Sequence, residues 1–384
     1  MKEFILTITV ILFLARCNPD KPKESFSSDT VKEEAGWQWK PFEKVDSLNP
    51  VLMPSSRLTF FCPVRGEKVH WEEKDVFNPA AVNRDHKIYL LYRAEDVVGR
   101  YAGTSRLGLA ISSDGLHFTK MPEPVFFPDN DHMKVYEWEG GCEDPRLVED
   151  DSGRYILTYT AWDGTTARLA VASSPDLLNW EKHGLAFAGY QEGKYRDHWS
   201  KSGSIVCKRV GSSLVATRIK NRYWMYWGDT HIFLAYSDDL KAWTPVEGPD
   251  VKLKPVFSPR KGYFDSELVE PGPPAILTDR GILMIYNSRN HPDEGDPDLP
   301  PGTYSAGQIL FEAEDPAIVA ARSETDFFRP ENDYEITGQV GNVCFLEGLA
   351  PLRKRWYLYY GTADSKIAAA VFLPGSGSPP GSGF

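Results

Sequence analysis

Short aromatic–aliphatic segments recur along the chain, and each one ends in a tyrosine: Tyr92, Tyr159, Tyr226, Tyr286 and Tyr360. They recur roughly every 60–75 residues, and another apolar segment precedes each of them. A repeat of this length built from strand-like segments is typical of a β-propeller, in which each repeat is one four-stranded sheet. Five repeats therefore predict an all-β fold, a five-bladed β-propeller.

The first three repeats share a further element, an apolar segment that closes in a Ser–Asp turn. These turns contain Ser112 and Asp114, Ser174 and Asp176, and Ser237 and Asp239. Elsewhere β-branched and aromatic runs alternate with Gly, Pro, Asn and Asp, a pattern of strands and turns. The charged, proline-rich segment Ser288–Ser305 interrupts the fourth repeat and predicts an exposed loop. The repeats begin near Phe77, Glu143, Lys201, Val269 and Gly341.

The two ends of the chain differ from the repeats in composition. Residues 4–15 are mainly apolar, too few for a membrane span but typical of a secretory signal. Together with Cys17 they predict a lipoprotein-type signal over residues 1–17, and ordinary secretion is the alternative. We expect a disordered tether over 18–36, the catalytic propeller over 37–372 and a flexible tail over 373–384. The expected location is the periplasm or the outer membrane, with membrane contact only through a lipid anchor at Cys17.

Charge and cysteine content narrow the range of partners. The net charge of −11 argues against nucleic acid, whose binding needs a basic face, and fits a neutral substrate. The cysteines show no CxxC spacing, so no metal site is predicted, and no motif requires a cofactor. Cys142, Cys207 and Cys344 fall in or beside strand-like runs, where cysteine usually acts as a small buried hydrophobe. A disulfide between two of the cysteines is the alternative, because the chain is expected to be exported.

Polar residues stand at the first strand-like segment of each repeat. First strands line the central channel of a propeller, so these side chains are expected to converge on one point. Two separated carboxylates among them, Asp144 and Glu270, suit cleavage of a glycosidic bond: one donates a proton to the leaving oxygen and the other activates a water. A solvated or turn-capping role is the alternative for either acid alone. The full set is Asn78, Glu143 to Arg146, Lys201 and Ser202, Glu267 and Glu270, and Asn342.

An ordered set of motifs carries a resemblance to a known family. It consists of FNPAAV at Phe77, YRAED at Tyr92, RLGLAISSDGLHF at Arg106, CEDPRLV at Cys142, YWMYWGD at Tyr223, ELVEPGPPAIL at Glu267 and YYGTADSKIAAA at Tyr359. In these motifs the chain resembles glycoside hydrolase family 130, the β-mannoside phosphorylases and β-1,2-mannosidases, from about Asn78 to Ala370. The resemblance implies a five-bladed propeller and an inverting reaction.

The same resemblance implies roles for individual residues. Asp144 is the expected general acid, passing its proton through a sugar hydroxyl. Four residues are expected to line the mannose pocket: Asn78, Arg93, Arg146 and Asp364. An arginine can donate hydrogen bonds to two sugar hydroxyls at once, and a carboxylate can accept hydrogen bonds from two neighbouring hydroxyls. A structural ion pair between Arg93 and Asp364 is the alternative for those two residues.

Hydrolysis and phosphorolysis require different charges on the face opposite the leaving group. A phosphorylase needs cations for phosphate, whereas a hydrolase needs a carboxylate that deprotonates water. By resemblance, Asp229 and Glu270 replace phosphate-binding and small residues of the phosphorylases, and two added acids would repel phosphate. Glu270 is the predicted base. Asp229 assists it, with a shorter side chain than the glutamate that hydrolases of the family carry there.

The sequence thus predicts a glycosidase, an inverting hydrolase of β-linked mannosides that acts on a mannose-containing oligosaccharide. The linkage is β-1,2 by resemblance. The first alternative is a β-mannoside phosphorylase releasing mannose 1-phosphate, for which Arg168, His231 and Lys201 are candidate anion ligands. The second is a noncatalytic glycan-binding lipoprotein, which would be expected to have lost the acid pair, and both acids are present.

Overall fold

The computed structural model describes residues 36–101 and 103–374, so the predicted signal, Cys17, most of the tether and the end of the tail lie outside the described residues. The first strands are β1 Glu43–Lys44, β2 Phe60–Cys62, β3 Glu67–Val69, β4 Asp75–Arg84, β5 Lys87–Glu95, β6 Ser105–Ser112 and β7 Thr119–Lys120. They are followed by β8 Gly141–Glu149, β9 Tyr155–Trp162, β10 Ala167–Ser174 and β11 Glu181–Leu185.

The second half of the described chain is also built from strands. Its middle part contains β12 Ser204–Ile205, β13 Cys207–Val210, β14 Ser213–Ala216, β15 Arg218–Ile219, β16 Arg222–Trp227, β17 Phe233–Ser237 and β18 Thr244–Pro245. Its last part contains β19 Leu268–Pro271, β20 Ile276–Thr278, β21 Gly281–Arg289, β22 Tyr304–Phe311, β23 Val319–Arg322, β24 Cys344–Leu352, β25 Arg355–Thr362 and β26 Lys366–Phe372.

Helices are short and few in the described part of the chain. They are α1 Lys134–Glu137, α2 Asp333–Ile336 and a 3-10 segment, Tyr190–Gly193. The prediction of an all-β chain is therefore confirmed. Within the described ranges, no helix has the length and apolar character needed to cross a membrane.

Antiparallel pairing groups the strands into five successive meanders. They are β4–β5–β6–β7, β8–β9–β10–β11, β12–β16–β17–β18, β19–β21–β22–β23 and β24–β25–β26–β1. The last one is completed by β1, which comes from the N-terminal side of all the others and pairs with β26. The first strands lie together, because β4 contacts both β8 and β24. Short parallel pairings, such as Ser105 with Gly141, join neighbouring meanders.

The five repeated tyrosines occupy equivalent places on the second long strand of each meander. All five rings are fully buried. Because a buried phenol needs a hydrogen-bond partner, each hydroxyl donates to an acceptor from another segment. Tyr92 donates to Glu72, Tyr159 to Glu137, Tyr226 to the Pro316 carbonyl, Tyr286 to Asp265 and Tyr360 to Glu335.

The three Ser–Asp turns also share one geometry. In each turn the serine hydroxyl donates to the aspartate Oδ1, at 2.9 Å for Ser112, 3.2 Å for Ser174 and 3.0 Å for Ser237. The same aspartate oxygen then accepts from backbone N–H groups two and three residues further on, as in Asx-turns. The repeat read from the sequence therefore extends to individual hydrogen bonds.

The segment before the first repeat packs against the repeats. Trp39 is fully buried, and its ring centroid lies 4.8 Å from that of Trp356 in β25. Trp71 stacks on Tyr92 of β5, with 6.2 Å between the ring centroids. The residues of the predicted loop in the fourth repeat connect the paired strands β21 and β22. The four described cysteines are free and buried, as expected of small apolar side chains: Cys62, Cys142, Cys207 and Cys344.

Candidate active site

The candidate site is built on irregularities in the first strands of the meanders. The pairing of β4 with β5 shifts register at Asn78, and that of β8 with β9 shifts around Asp144. Both residues have a φ of 47°, in the left-handed region that Asn and Asp tolerate better than most side chains. Such bulges re-aim a side chain, and they are common next to active sites.

Asp144 is surrounded by donors and cations. Its Oδ1 accepts from Asn78 Nδ2 at 3.0 Å and from Arg93 Nη1 at 3.1 Å, and its Oδ2 lies 3.4 Å from Lys201 Nζ. Burial alone would raise the pKa of this carboxyl, but Arg93, Lys201 and the Asn78 hydrogen bond outweigh it and hold the pKa well below its usual value. Asp144 is therefore ionised in the ligand-free site.

The neighbouring carboxyl, Glu143, has the opposite tendency. Its Oε1 accepts from Arg93 Nη2 at 2.8 Å and from the Ser105 hydroxyl at 3.2 Å. Burial raises the pKa of Glu143 to about 7, and Asp144 next to it adds to the rise while Arg93 opposes it. Glu143 is therefore the member of this pair that holds a proton near neutral pH.

Glu270, at the end of β19, is brought beside Asp144 by a shared lysine. Its Oε1 lies 3.3 Å from Lys201 Nζ and also accepts a hydrogen bond from the Ser202 hydroxyl. The side chain is almost fully buried, and burial raises its pKa although Lys201 opposes the rise. The predicted acid and base are thus brought together, with one ammonium group between them.

Asp229 and Asp364 occupy the border of this cluster. Asp229 Oδ2 accepts from the indole Nε1 of Trp199 at 3.0 Å. Asp364 is half-buried, and burial raises its pKa to about 6 against the opposing charge of Arg93. The ion pairs of Arg93 among the described residues are with Glu95, Glu143 and Asp144, so the alternative of a direct Arg93–Asp364 pair is not what the structure contains.

The three candidate anion ligands already have protein partners. Arg168 pairs with Asp163 at 2.6 Å and with Asp197 at 3.1 Å. His231 Nδ1 lies 3.0 Å from the Ser258 hydroxyl. Lys201 is the one of the three that contacts the Asp144–Glu270 pair, and both of its carboxylate partners belong to that pair.

Comparison with known proteins identifies the family. A model of glycoside hydrolase family 130, described as β-1,4-mannooligosaccharide phosphorylase, matches residues 55–373. The chain belongs to glycoside hydrolase family 130. A 1,2-β-oligomannan phosphorylase of Thermoanaerobacter sp. (strain X514) is 30% identical over 333 residues, which cover 85% of this chain and 95% of that relative. The resemblance read from the motifs is confirmed.

Several solved structures resemble the chain more closely in sequence than this relative does. One is a glycosyl hydrolase from Bacteroides ovatus, with 47% identity and a TM-score of 0.86 over 88% of this chain and 95% of that one. Another has the same identity, TM-score and coverage. It is described with the statement that family 130 of mannoside phosphorylases contains glycoside hydrolases that target β-1,2-mannosidic linkages in Candida mannan.

Arg146 is buried beside the candidate site and donates hydrogen bonds to backbone carbonyls of a neighbouring meander. Its side chain is 1% exposed; Nε donates to the Gly272 carbonyl, and Nη2 donates to the Pro271 carbonyl. It thereby ties the strand of Asp144 to the residues that follow Glu270. These contacts tie neighbouring strands together, and the sugar-binding role predicted for Arg146 stays a prediction.

Glu347 was missed by the sequence analysis. It occupies the bulge in β24 that corresponds to Asn78 in β4, and its Oε1 lies 3.1 Å from Arg146 Nη2. Burial raises the pKa of Glu347 well above its usual value, in spite of Arg146. The signal was present in the segment FLEGL, but the fifth repeat was aligned on Asn342, five residues earlier.

A cavity of about 370 Å³ opens beside Arg93 and Glu143, which contact or adjoin Asp144, and its volume lies within the ~300–1,000 Å³ range of small-molecule sites. Arg93, Glu95, Glu143, Trp162 and Gln339 are among its lining residues. In the part of the chain that the structure describes, no group of three or more His, Cys, Asp or Glu side chains is placed to hold a metal ion. What the arrangement offers is acid–base chemistry with two buried carboxylates.

Proposed function

We propose that this chain is an inverting glycoside hydrolase that cleaves β-linked mannosides, with β-1,2 linkages as the preferred substrate. We further propose that the five meanders are the blades of a closed five-bladed propeller, with Asp144 and Glu270 near its axis. The observation that carries the functional proposal is the pair of buried carboxylates joined through Lys201. Such a pair is what acid–base cleavage of a glycosidic bond requires.

In this proposal Glu270 removes a proton from the attacking water. Its raised pKa makes it a better base than an exposed glutamate would be, since the proton it accepts is held more firmly. Asp144 delivers a proton towards the leaving oxygen through a sugar hydroxyl. Because Asp144 is ionised without ligand, it must first take up a proton, and Glu143 can supply one once the bound sugar draws Arg93 and Lys201 away from Asp144 and so raises the pKa of Asp144.

The remaining predicted ligands have separate tasks. Arg93 and Asn78 donate towards the cleaved mannose, and Asp364 accepts from its hydroxyls. Arg146 keeps the strands of the acid and the base in register through its backbone contacts. Asp229 assists Glu270 electrostatically.

Phosphorolysis is the second candidate, and the curated relative named above favours it, because that protein is a 1,2-β-oligomannan phosphorylase. Lys201 is the cation that would have to bind phosphate at the cleavage point. Hydrolysis is favoured here because Lys201 already lies between two carboxylates, which repel a phosphate dianion. Arg168 is likewise neutralised by two aspartates.

One incubation separates the candidates. The protein is mixed with β-1,2-mannobiose in the presence and in the absence of inorganic phosphate, and the products are resolved by chromatography. Free mannose at the same rate in both mixtures supports hydrolysis. Mannose 1-phosphate that forms only with phosphate supports the phosphorylase, and binding without any product supports a noncatalytic glycan-binding protein.

We also propose that the mature protein is exported and anchored through a lipid on Cys17, with residues 18–36 as a tether. The apolar run over residues 4–15 and the polar segment after Cys17 support this. A Cys17→Ser variant should appear in the soluble periplasmic fraction while the parent protein stays with membranes. Cleavage of the parent protein at another residue, with all of it soluble, would contradict the anchor.

A further inference from the structure

Two tryptophans, Trp199 and Trp162, lie at the border of the site: Trp199 contacts Asp229, and Trp162 lines the same cavity as Glu143. Trp199 is 46% exposed, and its ring centroid lies 5.9 Å from that of Trp162, with an angle of 73° between the planes. Trp162 is half-buried at the end of β9 and lines the 370 Å³ cavity together with Glu143. The two indoles therefore form a surface that borders the candidate active site.

The orientation of Trp199 is set by a hydrogen bond rather than by burial in the core. Its indole Nε1 donates to Asp229 Oδ2 at 3.0 Å, while nearly half of the side chain remains in contact with solvent. Burial of apolar surface stabilises a protein by about 25 cal/mol per Å², and the exposed part of this indole does not contribute that free energy. A ligand with an apolar face would recover this burial on binding.

A pyranose ring offers such a face, because its C–H groups project on one side and its hydroxyls form the rim. The centre of the site does not suit this kind of contact. Asp144 and Glu270 are 3% and 4% exposed and are surrounded by polar groups, so the cleaved mannose is held there by hydrogen bonds. The aromatic surface lies further out, where the neighbouring sugar would be.

We propose that Trp199 and Trp162 form a stacking site for the sugar ring on the leaving-group side of the cleaved bond. The leaving-group side is favoured because the cavity that Trp162 lines also contains Glu143, the neighbour of the proposed proton donor. This inference rests on the proposed cleavage of β-mannosides. Its substrate class is a β-mannoside whose leaving group is itself a sugar, rather than a simple alkyl group.

Two variants of Trp199 distinguish stacking on a sugar ring from the hydrogen bond that Trp199 donates to Asp229. Trp199→Phe keeps an aromatic ring and removes the N–H donor, whereas Trp199→Ala removes both. The control is Phe61→Ala, since Phe61 is 61% exposed on the β2–β3 hairpin and is not part of the site. Each protein is assayed on β-1,2-mannobiose and on β-mannosyl fluoride, whose leaving group has no ring.

The expected result is a fall in kcat/KM on mannobiose of about tenfold for Trp199→Ala, the size of effect that aromatic stacking gives, and a smaller fall for Trp199→Phe. On mannosyl fluoride the same variants should lose much less. Equal losses on both substrates would overturn the inference and assign Trp199 to positioning Asp229. Unchanged activity of Trp199→Ala on mannobiose would overturn it as well.

A binding measurement keeps this test independent of the reaction. In an Asp144→Asn background, β-1,2-mannobiose should quench tryptophan fluorescence more than mannose does, and Trp199→Phe should remove most of the difference. If the parent protein cleaves neither substrate but this difference is present, the proposed function fails and the stacking site stands. If the parent protein is active and the difference is absent, the stacking site fails alone.

Discussion

The side chains of Arg146 and Glu347 meet in a contact that is closed off from water: Nη2 lies 3.1 Å from Oε1, and the two side chains are 1% and 0% exposed. The pair joins the first strand of the second meander to that of the fifth. Arg146 also donates to Pro271 and Gly272, so it connects three of the strands that carry the candidate site. The geometry of Asp144 relative to Glu270 depends on this buried guanidinium.

Replacing Arg146 should therefore cost much more stability than replacing Glu347. Arg146→Met leaves buried carbonyls without donors, and we expect it to lower the free energy of unfolding by about 3–5 kcal/mol. Glu347→Gln should cost less than about 1 kcal/mol, because the raised pKa of Glu347 favours a protonated, neutral carboxyl that an amide imitates. Urea titration of both variants measures this. A larger loss for Glu347→Gln would show that the charge of Glu347 is essential.

Asp144→Asn tests the proton donor. The amide keeps the shape of the side chain but cannot donate a carboxylic proton, so kcat should fall by ~10² or more while sugar binding is retained. Steady-state assays on β-1,2-mannobiose and calorimetric titration measure the two quantities. The matched control is Asp250→Asn, an exposed aspartate outside the site, which should leave both unchanged. Near-normal turnover of Asp144→Asn on a substrate with a poor leaving group would remove Asp144 from the mechanism.

The base is assigned by comparing two acids. Glu270 is 4% exposed and contacts Lys201, whereas Asp229 is half-buried and holds Trp199. Glu270→Gln should abolish hydrolysis, and Asp229→Asn should lower it less, because that side chain acts on Glu270 through the electric field alone. Product release by the two variants at one substrate concentration gives the order. If Asp229→Asn is the more damaging change, Asp229 is the base and Glu270 the assistant.

The repeat was readable from the sequence because its signals are local. A buried tyrosine near the middle of an apolar strand and a Ser–Asp turn are both set by neighbouring residues, and all eight examples occur as equivalents in the structure. The pairing of β1 with β26 joins Glu43 to Val371, and no local pattern indicates a contact over that distance.

The site was predictable where a proline marks the bulge. Asn78 and Asp144 each precede a proline, and both were placed correctly in the polar cluster. Glu347 precedes a glycine instead of a proline, so its bulge was overlooked although the segment FLEGL holds the equivalent place in the fifth repeat. The roles of Lys201 and Glu143 depend on contacts between different meanders, and spacing alone does not order such contacts. The carbonyl partners of Arg146 belong to a different meander, so the sequence could not indicate them either.

The pH dependence of activity should depend on Glu143. Its pKa is raised to about 7, so the side chain is mostly protonated below that pH and loses the proton as pH rises through it. The ionised form has lost the proton that Glu143 would pass to Asp144. We therefore expect kcat/KM, which reports groups of the free enzyme, to fall above about pH 7. In Glu143→Gln this decline should disappear, at a lower maximal rate. An unchanged decline in the variant would assign it to another group.

The stereochemical outcome is expected to be inversion, because in the proposed mechanism Glu270 activates a water and forms no covalent bond to the sugar. Lys201 Nζ lies 3.4 Å from Asp144 Oδ2 and 3.3 Å from Glu270 Oε1, so these two oxygens are separated by no more than the sum of the two distances. That upper limit includes the ~5–5.5 Å of retaining enzymes and reaches only the lower end of the roughly 6.5–9.5 Å of inverting ones, so the product itself has to decide between the two outcomes. A proton relay through a sugar hydroxyl makes a direct approach of Asp144 to the leaving oxygen unnecessary. Proton NMR of the earliest product from a β-mannoside should therefore show α-mannose before mutarotation. If β-mannose forms first, a covalent intermediate is required, and Glu270 would be its nucleophile instead of the base that activates water.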